Sequence, residues 1–488
     1  MKKKPGRDNP APMTKDPALL DLEPEDMRKL GYRMVDMVVD HWTNMSDKPA
    51  AVDMEVSDIR PRLREPMPQE GGSWETALEK ARVDVFESMG QIAHPRFLAF
   101  VPGPSNPVAA LADIMTSGYN TAASLWRETP GPAELELTTL EWVKELIGLQ
   151  NHADGAFTSG GSVANMVGLA VGRDAKLGND MTGAVIYCTD QTHSCVARGL
   201  RILGFGPDQL HPIPVDSEHS MDLEELSAAI HADKAAGLRP FCIVANAGTT
   251  NTGSVDDLNA IADLAGEHDL WVHVDGAYGG AGALSEEGKR LLAGMERADS
   301  VVIDPHKWLF QPYEAGICFV REPGLMGHAF ASNPEYLQDV AEGDDEVNFS
   351  ERGIQLSRGL RAFKLWLSLK VFGAKAFRAA VERGVQIARD AETMLRENGR
   401  FEIVTPAKLA VVTFRLTRDG LDDKATDRMQ RAVVDDLLDD GFAFVTSTEL
   451  NGRTCLRFCT INPRITDADL AGTIERIVRF GDAADVNS

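Results

Sequence analysis

The stretch Ser300-Val301-Val302-Ile303-Asp304-Pro305-His306-Lys307-Trp308 decides how this 488-residue chain is read. Its first half is a short β-branched run, as expected of a strand buried on both faces. Its second half places an acid, an imidazole and a lysine directly after that strand. A lysine ammonium in so apolar a setting is costly to keep charged. A Schiff base with a carbonyl compound would remove that cost and create an electron sink. The plainer alternative is a lysine that snorkels to the surface along its aliphatic stem.

Four further polar clusters repeat the pattern. His273-Val274-Asp275-Gly276-Ala277-Tyr278 again ends an apolar run, and Asp275 precedes Lys307 by 307 − 275 = 32 residues, about one βαβ unit. Neighbouring strand ends would bring both side chains to one crevice, unless Asp275 merely caps the next helix. Thr158-Ser159-Gly160-Gly161-Ser162 leads into a helix beginning near Val163, where unpaired amides and the helix dipole favour an anion or a simple N-cap. Thr189-Asp190-Gln191-Thr192-His193-Ser194 offers an imidazole that could stack on a flat ring or be an ordinary loop histidine. Gly248-Thr249-Thr250-Asn251-Thr252-Gly253 sets hydroxyls at the same edge and, alone, reads as a polar turn.

Working outward, short apolar runs at 184–187, 241–245, 270–274, 301–303 and 317–320 read as buried strands separated by helical patterns such as Val163, Met166, Val167 and Ala170. That alternation implies an α/β fold, a mostly parallel sheet with helices on both faces and ligands beyond the carboxyl ends of its strands. Before it, Met27, Leu30, Met34, Met37 and Val38 recur at helical spacing after Pro24, and a second helical stretch covers 73–90. After about residue 375, strand candidates at 401–404, 411–416, 442–445 and 455–458 surround a helix near 425–440. A last helix is expected from the N-cap Thr466, giving a small C-terminal α+β domain. The expected division is an N-terminal helical arm over 1–90, a large domain over 91–375 and a small domain over 376–488.

The net charge of −24 argues against nucleic-acid or anionic-membrane partners, and it requires any phosphate to be held locally. No apolar run is long enough to span a bilayer, and no apolar segment follows the basic start Met1–Arg7, so no secretory signal is expected. Six cysteines without a CxxC pair point to reduced thiols and a cytoplasmic protein.

Together the five motifs resemble the group II pyridoxal-phosphate (PLP)-dependent decarboxylases, the family of aromatic L-amino-acid, histidine and glutamate decarboxylases. The match is colinear from about residue 24 to 480, and Asp304-Pro305-His306-Lys307-Trp308 is its most specific part. The resemblance implies the aspartate-aminotransferase-like fold type I and a homodimer whose N-terminal helices embrace the partner subunit. It implies PLP held by Lys307 as a Schiff base, with Asp275 pairing the pyridine nitrogen. His193 would stack on one face of the ring and Ala277 on the other. Gly161 and Ser162 would hold the phosphate, helped by Asp304 or its backbone, at a place where most relatives have Asn or Asp. Thr250 and His306 would lie beside cofactor and substrate. Asn333-Pro334-Glu335-Tyr336-Leu337 resembles a mobile-loop segment whose Tyr protonates the substrate carbon after CO₂ leaves, and the acidic stretch 335–346 suits a movable loop.

The implied activity is decarboxylation of an L-amino acid to its amine. Phe97, Phe100, Val101, Pro102 and Trp126 resemble the residues lining the side-chain pocket and favour an aromatic substrate. Phe100-Val101 stands where aromatic-specific relatives have two adjacent aromatics, and Gly103 replaces their hydroxyl residue. Arg127 could instead neutralise an acidic side chain, as in a glutamate or aspartate decarboxylase. A PLP-dependent aldehyde synthase is a further alternative, although such relatives carry Phe where this chain has Tyr336. Other rivals are a metal-dependent hydrolase using His193, His273, Asp275 and His306, a serine hydrolase using Ser162, and a PLP-binding paralogue without turnover. No metal is expected in the favoured reading.

Overall fold

A computed structural model describes residues 19–331 and 346–485. Seven strands form the central sheet: β1 (Asp154–Thr158), β2 (Ala184–Thr189), β3 (Leu210–Ile213), β4 (Arg239–Asn246), β5 (Trp271–Asp275), β6 (Ser300–Ile303) and β7 (Gly316–Val320). Their spatial order is β1-β7-β6-β5-β4-β2-β3. Only β7 runs antiparallel to its neighbours; the pairs from β6 through β5, β4 and β2 to β3 are parallel. The interior strands are buried along almost their whole length, which is why they read as unbroken apolar runs. The helix Gly161–Leu177 packs across β1, β4, β5, β6 and β7, while Leu223–Ala235 and Leu258–His268 cover β4.

Two strands escape the sequence pattern. β3 is a half-exposed edge strand that contains Pro212, tolerated there because its outer side carries no ladder. β1 has only the sequence Asp-Gly-Ala-Phe-Thr and no apolar run.

The C-terminal sheet is antiparallel, in the order β10-β11-β9-β8, with β8 Phe401–Lys408, β9 Val411–Leu416, β10 Thr446–Leu450 and β11 Arg453–Cys459. The strand expected over 442–445 is instead β10, four residues later. The apolar residues Phe444 and Leu98 pair their backbones instead, through Leu98 N–H to Phe444 O (2.9 Å) and Phe444 N–H to Arg96 O (3.0 Å). β10 itself alternates half-buried and exposed residues, so its sequence looks polar. The final helix, Asp467–Ala483, starts at Thr466 with a reciprocal capping box to Asp469. Two helical segments between Ala362 and Asn398 meet at Gly373, whose φ of 77° and ψ of 156° interrupt the helix.

The first helix, Pro24–Thr43, buries none of its residues; Met27, Tyr32, Met34 and Val39 are exposed. No described helix is long and apolar enough to cross a membrane.

A buried ion pair ties the sheet border to the chain that follows residue 345. Arg358 meets Glu136 in bidentate fashion at 2.7 and 2.9 Å, and both side chains are almost fully buried. The Glu136 carboxylate also accepts from Phe157 N–H (3.0 Å), and Arg358 donates to the carbonyls of Ala123 (2.8 Å) and Phe157 (2.6 Å). Both terminal nitrogens and both carboxylate oxygens are thereby used. Glu136→Ala is expected to lower stability by about 3–5 kcal/mol, because it strands a buried guanidinium. The double variant Glu136→Leu/Arg358→Met should recover most of that loss, and urea unfolding of the three proteins checks both expectations.

Candidate active site

The carboxyl ends of β1, β2, β4, β5 and β6 open onto one cavity of about 470 Å³. Its place follows from topology, since loops leaving parallel strands on the same edge converge there. Gly161, Ser162, His193 and Thr250 line it from three of these loops. Asp275, Ala277, Asp304, His306 and Lys307 line it from the ends of β5 and β6. Those nine are all the cofactor-side residues named from the sequence. β5 and β6 are adjacent, with Asp275 opposite Val302, so the Asp275 and Lys307 loops share a wall.

Lys307 Nζ lies 2.9 Å from Oδ2 of Asp304, which is 1% exposed. Burial opposes the charge on Nζ, but the nearby carboxylates of Asp304 and Asp275 outweigh it, and Lys307 titrates above its ordinary value. The same Asp304 oxygen is 3.6 Å from His306 Nε2, while Oδ1 is buried with no hydrogen-bond partner. Asp275 receives Ala277 N–H on Oδ1 at 3.1 Å. His306 accepts Ala315 N–H on Nδ1 (3.3 Å), and burial lowers its proton affinity. His193 accepts Cys195 N–H on Nδ1 (3.2 Å); desolvation holds its imidazole below the ordinary value, with the Asp275 charge opposing.

The glycines of the first loop make space as well as turn. Gly160 has φ 139°, a region that side chains disfavour. A β-carbon on Gly161 would come 2.8 Å from Asp304 Oδ2 and 3.0 Å from the Ala277 β-carbon. A bare backbone is thus required where the helix N-terminus meets the lysine loop; Val163 N–H turns back to Gly160 O (3.0 Å), while the amides of Gly161 and Ser162 precede the first helical bond. The residues present fit PLP: a helix-terminal cradle for a phosphate, a lysine for the aldehyde, and a carboxylate at the adjacent strand end.

The pocket-side residues named for a substrate are not brought into this cavity. Phe97 is buried against Phe444 in an edge-to-face pair (5.1 Å), and Phe100 meets the same ring at 5.8 Å. The segment carrying them is clipped to the C-terminal sheet, through Cys459 N–H to Leu98 O (3.0 Å) and Arg457 to Phe100 O (2.6 Å). Trp126 and Val101 pack partly buried on the main core. Pro102 leads to Gly103, where the segment does reach the cavity wall: a β-carbon on Gly103 would lie 3.2 Å from the Tyr313 ring and 2.8 Å from His306 O. Tyr336 and its loop lie outside the described residues.

Several lining residues carry no motif of their own. Tyr313 stands over His306, ring centroids 4.7 Å apart, and Glu314 beside it is held by Arg361 at 2.9 Å. Their one signal in the sequence is position, just beyond Lys307. Asn246, at the end of β4, donates to both Thr189 and Thr192 (3.3 Å each) and to buried Asp256 (3.0 Å), so it gathers the turn that precedes His193. Burial pushes the Asp256 carboxyl up to about 6.

The hydrolase alternatives lose their geometry. His273 spends Nε2 on Asn165 Oδ1 and Nδ1 on Ser300 Oγ, 2.7 Å each, and burial pushes it down to about 4. Among the described residues no group of three or more His, Cys, Asp or Glu is placed to hold a metal. Ser162 does follow a strand, β1, but no histidine among the described residues hydrogen-bonds it.

Comparison with known proteins agrees with this geometry. The pyridoxal-dependent decarboxylase conserved domain matches residues 57–417. An aromatic-L-amino-acid decarboxylase of Bacillus atrophaeus is 41% identical over 470 residues, covering 96% of this chain and 98% of that one. The structure of Oryza sativa TDC with PLP and tryptamine superposes with a TM-score of 0.90 at 28% identity, over 96% of this chain and 99% of the other. Catharanthus roseus tryptophan decarboxylase in complex with L-tryptophan gives 0.88 at 28%, over 95% and 99%. With Lys307 and Asp275 at adjacent strand ends and a glycine-rich helix N-terminus lining the same cavity, this chain belongs to the pyridoxal-dependent decarboxylase family, fold type I carboxy-lyases that work with PLP.

Proposed function

We propose that the protein decarboxylates an aromatic L-amino acid to its amine and CO₂. The observation that carries this reading is the convergence of Lys307, Asp275 and the Gly160-Gly161 helix terminus on one cavity. The aromatic preference rests on the relatives, an aromatic-L-amino-acid decarboxylase and a tryptophan decarboxylase.

Bound PLP supplies the electron sink into which the bond from Cα to the carboxylate breaks. Lys307 Nζ would hold the cofactor's aldehyde carbon, at the place where a substrate amine would have to bind. Asp275 would hold the cofactor's ring nitrogen in its protonated form, which favours electron withdrawal. His193 and Ala277 would bracket the cofactor ring, and the amides of Gly161 and Ser162 would hold its phosphate, helped by Asp304 or its backbone. Thr250 and His306 sit beside the reacting centre. Tyr336 returns a proton to Cα once CO₂ has left. Phe97, Phe100, Val101 and Pro102 act on substrate choice through the segment that reaches the cavity wall at Gly103 and Tyr313, and Trp126 acts from the adjoining core, rather than by lining the cavity of a single chain.

The working unit is proposed to be a homodimer, with the arm over 1–90 on the partner, a large domain over 91–375 and a small one over 376–488. Support comes from the exposed apolar side chains of the helix Pro24–Thr43. A cytoplasmic location fits six unpaired, buried cysteines.

Lys307→Ala should abolish both the cofactor's visible absorbance band and CO₂ release from L-tryptophan or L-DOPA, read by spectrophotometry and a CO₂ assay. Asp275→Asn should retain the band but lower kcat by about 10²-fold or more. Tyr336→Phe should divert product from amine towards aldehyde, measured by product chromatography; an unchanged amine yield would remove Tyr336 from its role.

A further inference from the structure

We propose that Asp304 is a positioning residue that holds the Lys307 side chain as an ammonium whenever its amine is out of covalent linkage. The inference rests on the PLP reading of the cavity and goes beyond it. In that reading Asp304 serves the phosphate; the geometry directs its carboxylate at the lysine.

Oδ2 is 2.9 Å from Nζ, a charge-assisted contact in which the acid is 1% exposed. Oδ1 is buried and unpartnered, and the other potential cation near the carboxylate, His306 at 3.6 Å from Oδ2, has its proton affinity lowered by burial. The backbone that carries the acid is fixed beside the lysine, because Asp304 N–H is tied to Ala277 O (2.9 Å) and Lys307 N–H to Asp304 O (2.9 Å). Other titratable groups facing Nζ are Asp275, which adds to the effect, and His193, His306, Tyr313, Cys195 and Cys459. The two imidazoles titrate below their ordinary values and the thiols and phenol above theirs, so near neutral pH these five are uncharged. The balance at Nζ is therefore set by two carboxylates, and Asp304 is the one in contact.

The consequence is chemical. Condensation with an aldehyde needs the Nζ lone pair: the ammonium first gives its proton to solvent, the C–N bond forms, and water leaves. A lysine held as an ammonium condenses slowly. A lysine released by an incoming substrate amine would take up the proton that amine gives up, and beside Asp304 it would remain an ammonium that cannot attack again until the proton is lost.

The test uses the full-length chain freed of cofactor, and pyridoxal without phosphate as probe, so that repulsion between Asp304 and a phosphate plays no part. The rate of appearance of the visible band is followed against pH for the native protein and Asp304→Asn. The expected result is a midpoint lower by about one to three pH units in the variant. At pH 7 the variant should then react about tenfold faster for each pH unit by which its midpoint falls. Equal midpoints overturn the proposal. Should the variant not fold, labelling of native Lys307 with acetic anhydride against pH, read by mass spectrometry, decides it: a midpoint above that of the exposed lysines is expected, and one at or below theirs overturns it. If neither protein gives a band with pyridoxal or with PLP, the cofactor reading itself fails; a band with equal midpoints sinks this inference alone.

Discussion

A lysine ammonium held beneath the surface at the carboxyl edge of the sheet sets terms for everything around it. The charge needs a carboxylate within contact, and Asp304 lies three residues before it. A second carboxylate, Asp275, needs β5 beside β6, which the parallel pairing of these strands through the helices between them supplies. The polar loop must also meet a neighbour that lacks a side chain, because Gly161 sits where any β-carbon would strike Asp304. Chemistry, topology and glycine placement are thus one constraint seen at three scales.

Beside the edge strand β1 another buried charge is met by a different route. Arg358 and Glu136 satisfy each other and the backbone so completely that nothing is left to react. Around Lys307 the satisfaction is incomplete: Asp304 Oδ1 has no partner, and the Gly161 end of its helix presents unpaired amides. The contrast separates a buried pair that fastens chain segments from a buried pair that leaves valence for a ligand.

The sequence is most legible where function lies close along the chain. Asp304, His306 and Lys307 follow one strand within a few residues, and the five strand-end clusters are local patterns on an alternating βα background. What stays hidden depends on contacts between distant segments. His273 reads as a candidate ligand, but Asn165, 108 residues away, occupies its Nε2. The apolar 442–445 run reads as a strand because nothing local reveals that 96–98 pairs with it. Phe97 resembles a pocket residue, yet its partner Phe444 comes from the C-terminal part of the chain. β3 is invisible because an edge strand with a proline has no apolar period to display.

The contact between Gly103 and Tyr313 carries a lesson for anyone altering substrate choice. Any side chain at Gly103 enters the space of the Tyr313 ring and presses on His306 O. The two positions therefore cannot be varied as independent dials: a hydroxyl residue at 103 requires the Tyr313 ring to give way and the backbone at His306 to shift as well. Libraries that sample either site alone will score compatible pairs as failures, so the two codons belong in a single combinatorial set.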